Sequence, residues 1–212
     1  MPTQRISLFP LAGALLFPGM QLPLHIFEPR YRALVRDAMA RDRRIGMIQP
    51  RGDAANAGSQ NREPLLYNIG CVGHIGEFEA LDDGRFNIIL TGVARFKVVR
   101  ELTVTTPFRQ VEAEVESLAV HDDDILASVE RAALEQESQR FAKMQGYVVD
   151  WDAVSRLDDA SLVNGIAQIA PFDAASKQVL LEAPSLRERA ERTIQLMQFF
   201  GRTDGDGQAT LQ

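Results

Sequence analysis

The chain has 212 residues, 45% of them hydrophobic and 25% charged, with a formal net charge of −6. Length and composition are those of a globular protein with one large domain or two small ones. The negative charge argues against a nucleic-acid partner, which needs a basic surface, and no apolar run reaches the roughly 18–20 residues of a membrane span.

In chain order, Ile6–Phe9 reads as a first strand, after which two Phe-Pro steps, Phe9-Pro10 and Phe17-Pro18, hold the backbone out of the helical region. Pro18-Gly19 marks a turn. Over Met20–Phe27, Leu22, Leu24 and Ile26 alternate with Gln21, Pro23 and His25, the period of a half-buried strand. Pro23 cannot donate to a ladder, which places this strand at an edge or a bulge. Glu28-Pro29 opens a helix to Arg41, with Tyr31, Leu34, Val35, Ala38 and Met39 on one apolar face. Arg44–Gln49 is a short strand, and residues 50–64, rich in Gly, Asn, Ala and Ser, form a loop.

Leu65–Leu81 reads as a strand interrupted at Gly70, Gly73 and Gly76. Asp82-Asp83-Gly84 is a hairpin turn. Arg85–Leu90 returns, Thr91-Gly92 interrupts, and Ala94–Val104 and Arg109–Leu118 are further strands. Many short strands with glycine bends point to a small, curved, barrel-like sheet. From His121 the period turns helical. Asp122-Asp123-Asp124 is a cap for a helix to Gln145; Gly146–Asp152 connects; Asp158-Asp159 starts a helix ended by Pro171. Asp173 caps the next, and Ser185-Leu186-Arg187-Glu188 is a capping box. The last helix buries Leu186, Ala190, Ile194, Met197 and Phe200 and stops at Gly201. Residues 1–118 carry 14 Lys and Arg against 13 Asp and Glu, whereas 119–212 carry 9 against 16, so the acidity lies in the helical half.

The chemical inventory is thin. His25, His74 and His121 lack Cys or acidic neighbours at metal-ligand spacing and read as ordinary histidines, so no metal or other cofactor is expected. Cys71, the single cysteine, reads as a small buried hydrophobe. It excludes an intrachain disulfide and suits a reducing compartment, with the cytoplasm as the expected location. Glu28 and Arg30 read as structural, at the helix N-terminus and in an ion pair. No Gly-x-Ser-x-Gly elbow is present. Two apolar sets remain. Phe9, Leu11, Leu15, Leu16, Phe17 and Leu22 are candidates for a peptide-binding patch, because so irregular a segment is not expected to turn every one of them inward; otherwise it plugs the sheet. The edge strand at Pro23 offers a second route to a peptide. Phe78, Phe86 and Phe96 are candidates to line a small-molecule pocket.

Taken together, Phe9-Pro10, Phe17-Pro18-Gly19, Leu22-Pro23-Leu24 and Ile26-Phe27-Glu28-Pro29-Arg30-Tyr31 resemble the opening of the Lon substrate-binding domain, the N-terminal domain of the Lon ATP-dependent proteases. Gly70–Ile75, Gly84–Ile88 and Leu90–Phe96 resemble its middle, and Leu180–Ala183 with Leu186–Arg189 its helical end, so the resemblance spans roughly residues 5–200. It implies an α+β fold: a mostly-β, barrel-like (PUA-like pseudobarrel) domain over 1–118, a helical bundle over 119–201 and a disordered tail over 202–212. No Gly-x-x-x-x-Gly-Lys-Ser/Thr loop occurs, so the expectation is a free-standing, non-enzymatic member without ATPase or peptidase domains. The implied function is binding of unfolded or degron-bearing polypeptides, as an adaptor or decoy for a Lon-type protease or as a holdase. The expected partners are polypeptide substrates or that protease, with neither nucleic acid nor membrane, and the expected state is a monomer or weak dimer. The alternative is a small-molecule-binding or assembly module.

Overall fold

In the computed structural model, residues 3–52, 64–116 and 125–206 are described. The chain forms two compact units, Met1–Leu118 and Ala119–Gln212.

The first unit is a six-stranded sheet with one helix. Strands β1 (Thr3–Pro10), β2 (Gln21–Ile26), β3 (Arg44–Ile48), β4 (Ile69–Ala80), β5 (Phe86–Glu101) and β6 (Gln110–Val115) lie in the order β2-β5-β4-β3-β1-β6, and β6 pairs with β5 as well. Five strands therefore run in a circuit of ladders, and β2 hangs outside it on β5. Only β1 and β3 are parallel. Pro23 lies on β2, opposite Ile89, so the proline occupies the edge that the alternation predicts. Helix α1 (Pro29–Met39) starts with proline in its first turn and buries Tyr31, Leu34, Val35 and Ala38. Glu28 caps nothing with its side chain: its carboxylate takes the Arg30 guanidinium at 2.9 Å. That guanidinium also lies over the Tyr31 ring, 4.5 Å from its centre.

Both faces of the sheet are buried. One core gathers Phe9, Leu16, Leu34, Ile75, Phe86 and Leu90; the other gathers Leu8, Ile48, Val72, Phe96 and Val111. Gly73 and Gly76 are not breaks in a strand. They accompany register shifts at Val72/Gly73 and Ile75/Glu77 within a continuous β4, which bend it without ending it. The expected interruption at Thr91-Gly92 is also absent, since β5 runs unbroken for 16 residues. Gly92 has a different task. The segment from Leu11 to Met20 crosses the sheet there, with Gly19 N donating to Gly92 O at 2.9 Å and Gly92 N to Met20 O at 2.8 Å. A Cβ on Gly92 would overlap the Phe17 carbonyl.

The second unit is helical: α2 (Ser128–Met144), α3 (Trp151–Ser155), α4 (Asp159–Ile169), α5 (Ala174–Leu181) and α6 (Leu186–Asp206). The expected caps at Asp158 and Asp173 are made, each accepting from a backbone N–H three residues on at 2.7 Å. Ser185 Oγ likewise accepts from Glu188 N at 3.2 Å. The Asp122–Asp124 cap and His121 lie outside the described residues, as do residues 53–63 of the loop and 207–212 of the tail. Helix α2 begins at Ser128, later than that cap would place it. Gly201 does not stop α6, which continues to Asp206. Gly201 is buried beside Met144, and a Cβ there would press only on the flexible end of the Met144 side chain. Arg189, although charged, is 5% exposed; it donates to Asn164 Oδ1 at 2.7 Å and to Leu180 O at 2.9 Å, tying α6 to α4 and α5.

Gly92→Ala is expected to lower stability by about 1–3 kcal/mol, the cost of overpacking. Gly76→Ala, where an added Cβ meets nothing nearer than 3.9 Å, should change it by less than about 0.5 kcal/mol. Urea unfolding of the two variants checks the contrast.

Candidate functional site

Four of the six residues proposed for a peptide-binding patch are buried: Phe9, Leu15, Leu16 and Phe17 are at most 6% exposed, and only Leu11 and Leu22 are half-buried. The segment turns most of these side chains inward, as in the alternative in which it plugs the sheet. Backbone bonds make this possible: Leu11 N donates to Ile48 O, Gly13 N to Gln49 Oε1 and Met20 N to Phe17 O. An irregular segment is thus sewn onto the sheet and plugs it.

The three pocket phenylalanines do not converge either. Phe86 belongs to one core and Phe96 to the other, on opposite faces of the sheet. Phe78 is 40% exposed with its ring 5.2 Å from that of Phe86, and it lines a shallow groove of about 740 Å³ beside Pro23, His25, Glu77 and Ile89. Along this groove Arg85 Nη1 meets His25 Nε2 at 3.2 Å. A guanidinium only donates, so Nε2 accepts and the ring proton sits on Nδ1, which donates to Asn87 Oδ1 at 2.7 Å. Asn87 Nδ2 passes the chain on to Glu79 at 2.7 Å. Cys71 is fully buried, and among the described residues no three His, Cys, Asp or Glu side chains are placed to hold a metal.

A strongly apolar concavity lies in the helical unit, where the sequence reads only a connection. Helix α2 ends at a left-handed Gly146 (φ 72°), with Tyr147 N reaching back to Ala142 O at 2.9 Å. The chain then runs through Tyr147-Val148-Val149 and turns into α3, whose Trp151 and Val154 face the same hollow; from α4 come Leu162, Ile166 and Ile169, at helical spacing. Phe141 and Met197 are buried at its floor. The groove measures about 530 Å³. Its rim is unusually bare: Val148 is fully exposed, Ile169 80%, Tyr147 52% and Leu157 43%. Bare apolar side chains gathered around a concavity are the mark of an interaction surface. The only sequence signal for it is a run of apolar residues without helical period, which looks the same as core.

Polar groups hold this groove from its ends. Asp158 caps α4, and the Ser161 backbone N–H holds its carboxyl below the ordinary carboxylate range. Lys177 donates to Gln168 O at 2.6 Å, near the end of α4, and burial pushes its ammonium pKa down.

A mostly-β unit and a helical unit with an open apolar groove define a binding module. The chain belongs to the substrate-binding domain family of ATP-dependent protease La (Lon), whose family model matches residues 5–198. It is 25% identical over 200 residues to a Lon protease of Anaeromyxobacter dehalogenans and 28% identical over 203 residues to Lon protease 3 of Sorangium cellulosum. Each match covers 91% of this chain and 23% of the relative, so the chain spans about a quarter of the length of these curated proteases. Two solved structures share the fold. A Lon N-terminal domain protein from Xanthomonas campestris has a TM-score of 0.66 at 22% identity, and the N-terminal domain of the Mycobacterium avium complex Lon protease has 0.68 at 17%. Both comparisons cover 92% of this chain and 98% of the other. Among the described residues no helix is long and apolar enough to cross a membrane.

Asp158→Ala should lower the stability of the helical unit by about 1 kcal/mol at pH 7, through loss of the α4 cap. Because the folded carboxyl pKa lies below its unfolded value, the contribution is present above the ordinary carboxylate range and is lost as pH falls through the folded value. The difference between wild type and variant should therefore shrink below about pH 4 in denaturant melts followed across pH.

Proposed function

We propose that this chain binds exposed apolar segments of unfolded or degron-bearing polypeptides in the groove of the helical unit, and that it delivers or withholds them as an adaptor or decoy of a Lon-type protease. The carrying observation is the cluster of Val148, Ile169, Tyr147 and Leu157, apolar side chains left in water around a hollow floored by Phe141 and Met197. Burying a large apolar side chain is worth roughly 1.5–3 kcal/mol, so a few contacts supply modest, reversible affinity after the cost of association. The surface asks for hydrophobicity and no particular sequence, as suits a reader of unfolded chains. Membership of a substrate-binding family supports the reading.

The second reading is a small apolar ligand, favoured by the groove's volume of about 530 Å³, which falls in the range of small-molecule sites. Trp151, the chain's only tryptophan, lines the groove and reports on either occupant. Titration with a reduced, alkylated and permanently unfolded protein should give a saturable change in its fluorescence; the same protein in its native form should give none. Val148→Asp and Ile169→Asp should each weaken binding at least tenfold while leaving Tm within about 2 °C. Unchanged binding in both variants, or no saturable response, rejects the polypeptide reading. A response to small apolar compounds alone establishes the second.

A further inference from the structure

The wall of the helical groove changes character at α3. Trp151 lines the groove half-buried, and it stands in sequence between two exposed carboxylates, Asp150 and Asp152. Lining residues Val149 and Val154 bracket the three. Elsewhere in the helical unit many carboxylates have a cation: Glu135 and Asp159 share Arg131, Glu137 holds Arg140, and Glu188 holds Arg192. Asp150 and Asp152 hold none among the described residues. Asp150 Oδ1 accepts from the Ala153 backbone N–H at 3.0 Å, which caps α3 and cancels no charge. The Asp152 carboxylate accepts no hydrogen bond among the described residues. Arg156 stands four residues on, the spacing of a helical ion pair, yet the two do not pair. Lys143, exposed in the last turn of α2, lies where the negative carbonyl end of its own helix attracts it.

An indole flanked by two unmatched carboxylates suits a cation. Tryptophan is the aromatic side chain that attracts an ammonium or guanidinium most strongly, and the carboxylates add charge complementarity. The same indole belongs to an apolar wall, so the cation that fits is one carried by an apolar body. A lysine or arginine meets that demand by laying its methylene stem along apolar surface while its charged end stays in water. We infer that the groove selects apolar polypeptide segments with a lysine or arginine beside the apolar stretch: the cation lies at Trp151 between Asp150 and Asp152, and the apolar side chains next to it lie against Val148, Ile166 and Ile169. Segments flanked by acidic residues are refused by the same two carboxylates, since specificity needs a repulsive element as well as an attractive one. The inference rests on the reading of the groove as a polypeptide site and names the class of segment that it takes.

The test uses the full chain and three peptides, acetylated and amidated at their ends, that share one apolar core of leucine, valine and phenylalanine. The core is followed by two lysines, two serines or two glutamates, and binding is titrated by isothermal calorimetry. The lysine peptide should bind at least fivefold more tightly than the serine peptide, and the glutamate peptide at least fivefold more weakly. The lysine preference should shrink as salt rises from about 50 mM to about 500 mM. Asp152→Asn should cut that preference at least threefold while leaving the serine peptide within about twofold of its wild-type affinity. Asp150→Asn with Asp152→Asn, in which asparagine keeps the α3 cap, should reduce it to within about twofold of unity. Glu77→Gln, the same loss of charge on the β unit, should leave it unchanged. Equal binding of the three peptides overturns the inference and leaves the groove a polypeptide site; no binding of any of them overturns both. A lysine preference that survives the double substitution, or that Glu77→Gln lowers as much as Asp152→Asn does, removes Asp150 and Asp152 as its source and overturns the inference as well.

Discussion

The crossing of the Leu11–Met20 segment over β5 at Gly92 is the constraint on which the β unit depends. A backbone can lie flat on a strand only where no side chain rises, and the paired bonds Gly19 N to Gly92 O and Gly92 N to Met20 O use that contact twice. The crossing turns an irregular, proline-punctuated stretch into core, because it carries Leu16 and Phe17 down onto the sheet. It also hands the chain to β2, which pairs with β5 from Gln21 opposite Thr91 onward. Without it, β2 would lose its register and α1 the strand that leads into it.

The helical unit depends on a different device. A guanidinium is costly to bury, and Arg189 is tolerated because Asn164 and the Leu180 carbonyl accept from it. Those acceptors sit on α4 and α5, so one side chain of α6 sets the relation of three helices. With α4 fixed in this way, its Leu162, Ile166 and Ile169 are held along the groove while Val163 packs inward.

Most of the architecture could be read from residues whose conformations admit few options. Pro23 and its alternating neighbours gave an edge strand, Pro29 a helix start, and Asp158, Asp173 and Ser185 three helix caps, because each acts on adjacent backbone. What escaped depends on distant partners. Gly92 looks like a break in isolation; it is a place where the backbone of Phe17 comes close, and nothing nearby in sequence says so. The burial of the candidate patch was hard to read for a related reason. Phe9, Leu15, Leu16 and Phe17 look too irregularly spaced to be buried together, while Tyr147, Val148 and Ile169 look like ordinary core. Hydrophobicity tells which residues prefer to leave water; whether they succeed depends on the space that other elements leave.

Pro23 has one more consequence. A strand at the edge of a sheet is a template on which any extended chain can lie down, including another copy of the same protein. One uninterrupted ladder of that kind could seed a growing fibre. A proline in the middle of β2 removes a donor from the row and leaves that edge a poor primer. What this edge offers another chain is then mainly side-chain contact, and contacts of that kind let go.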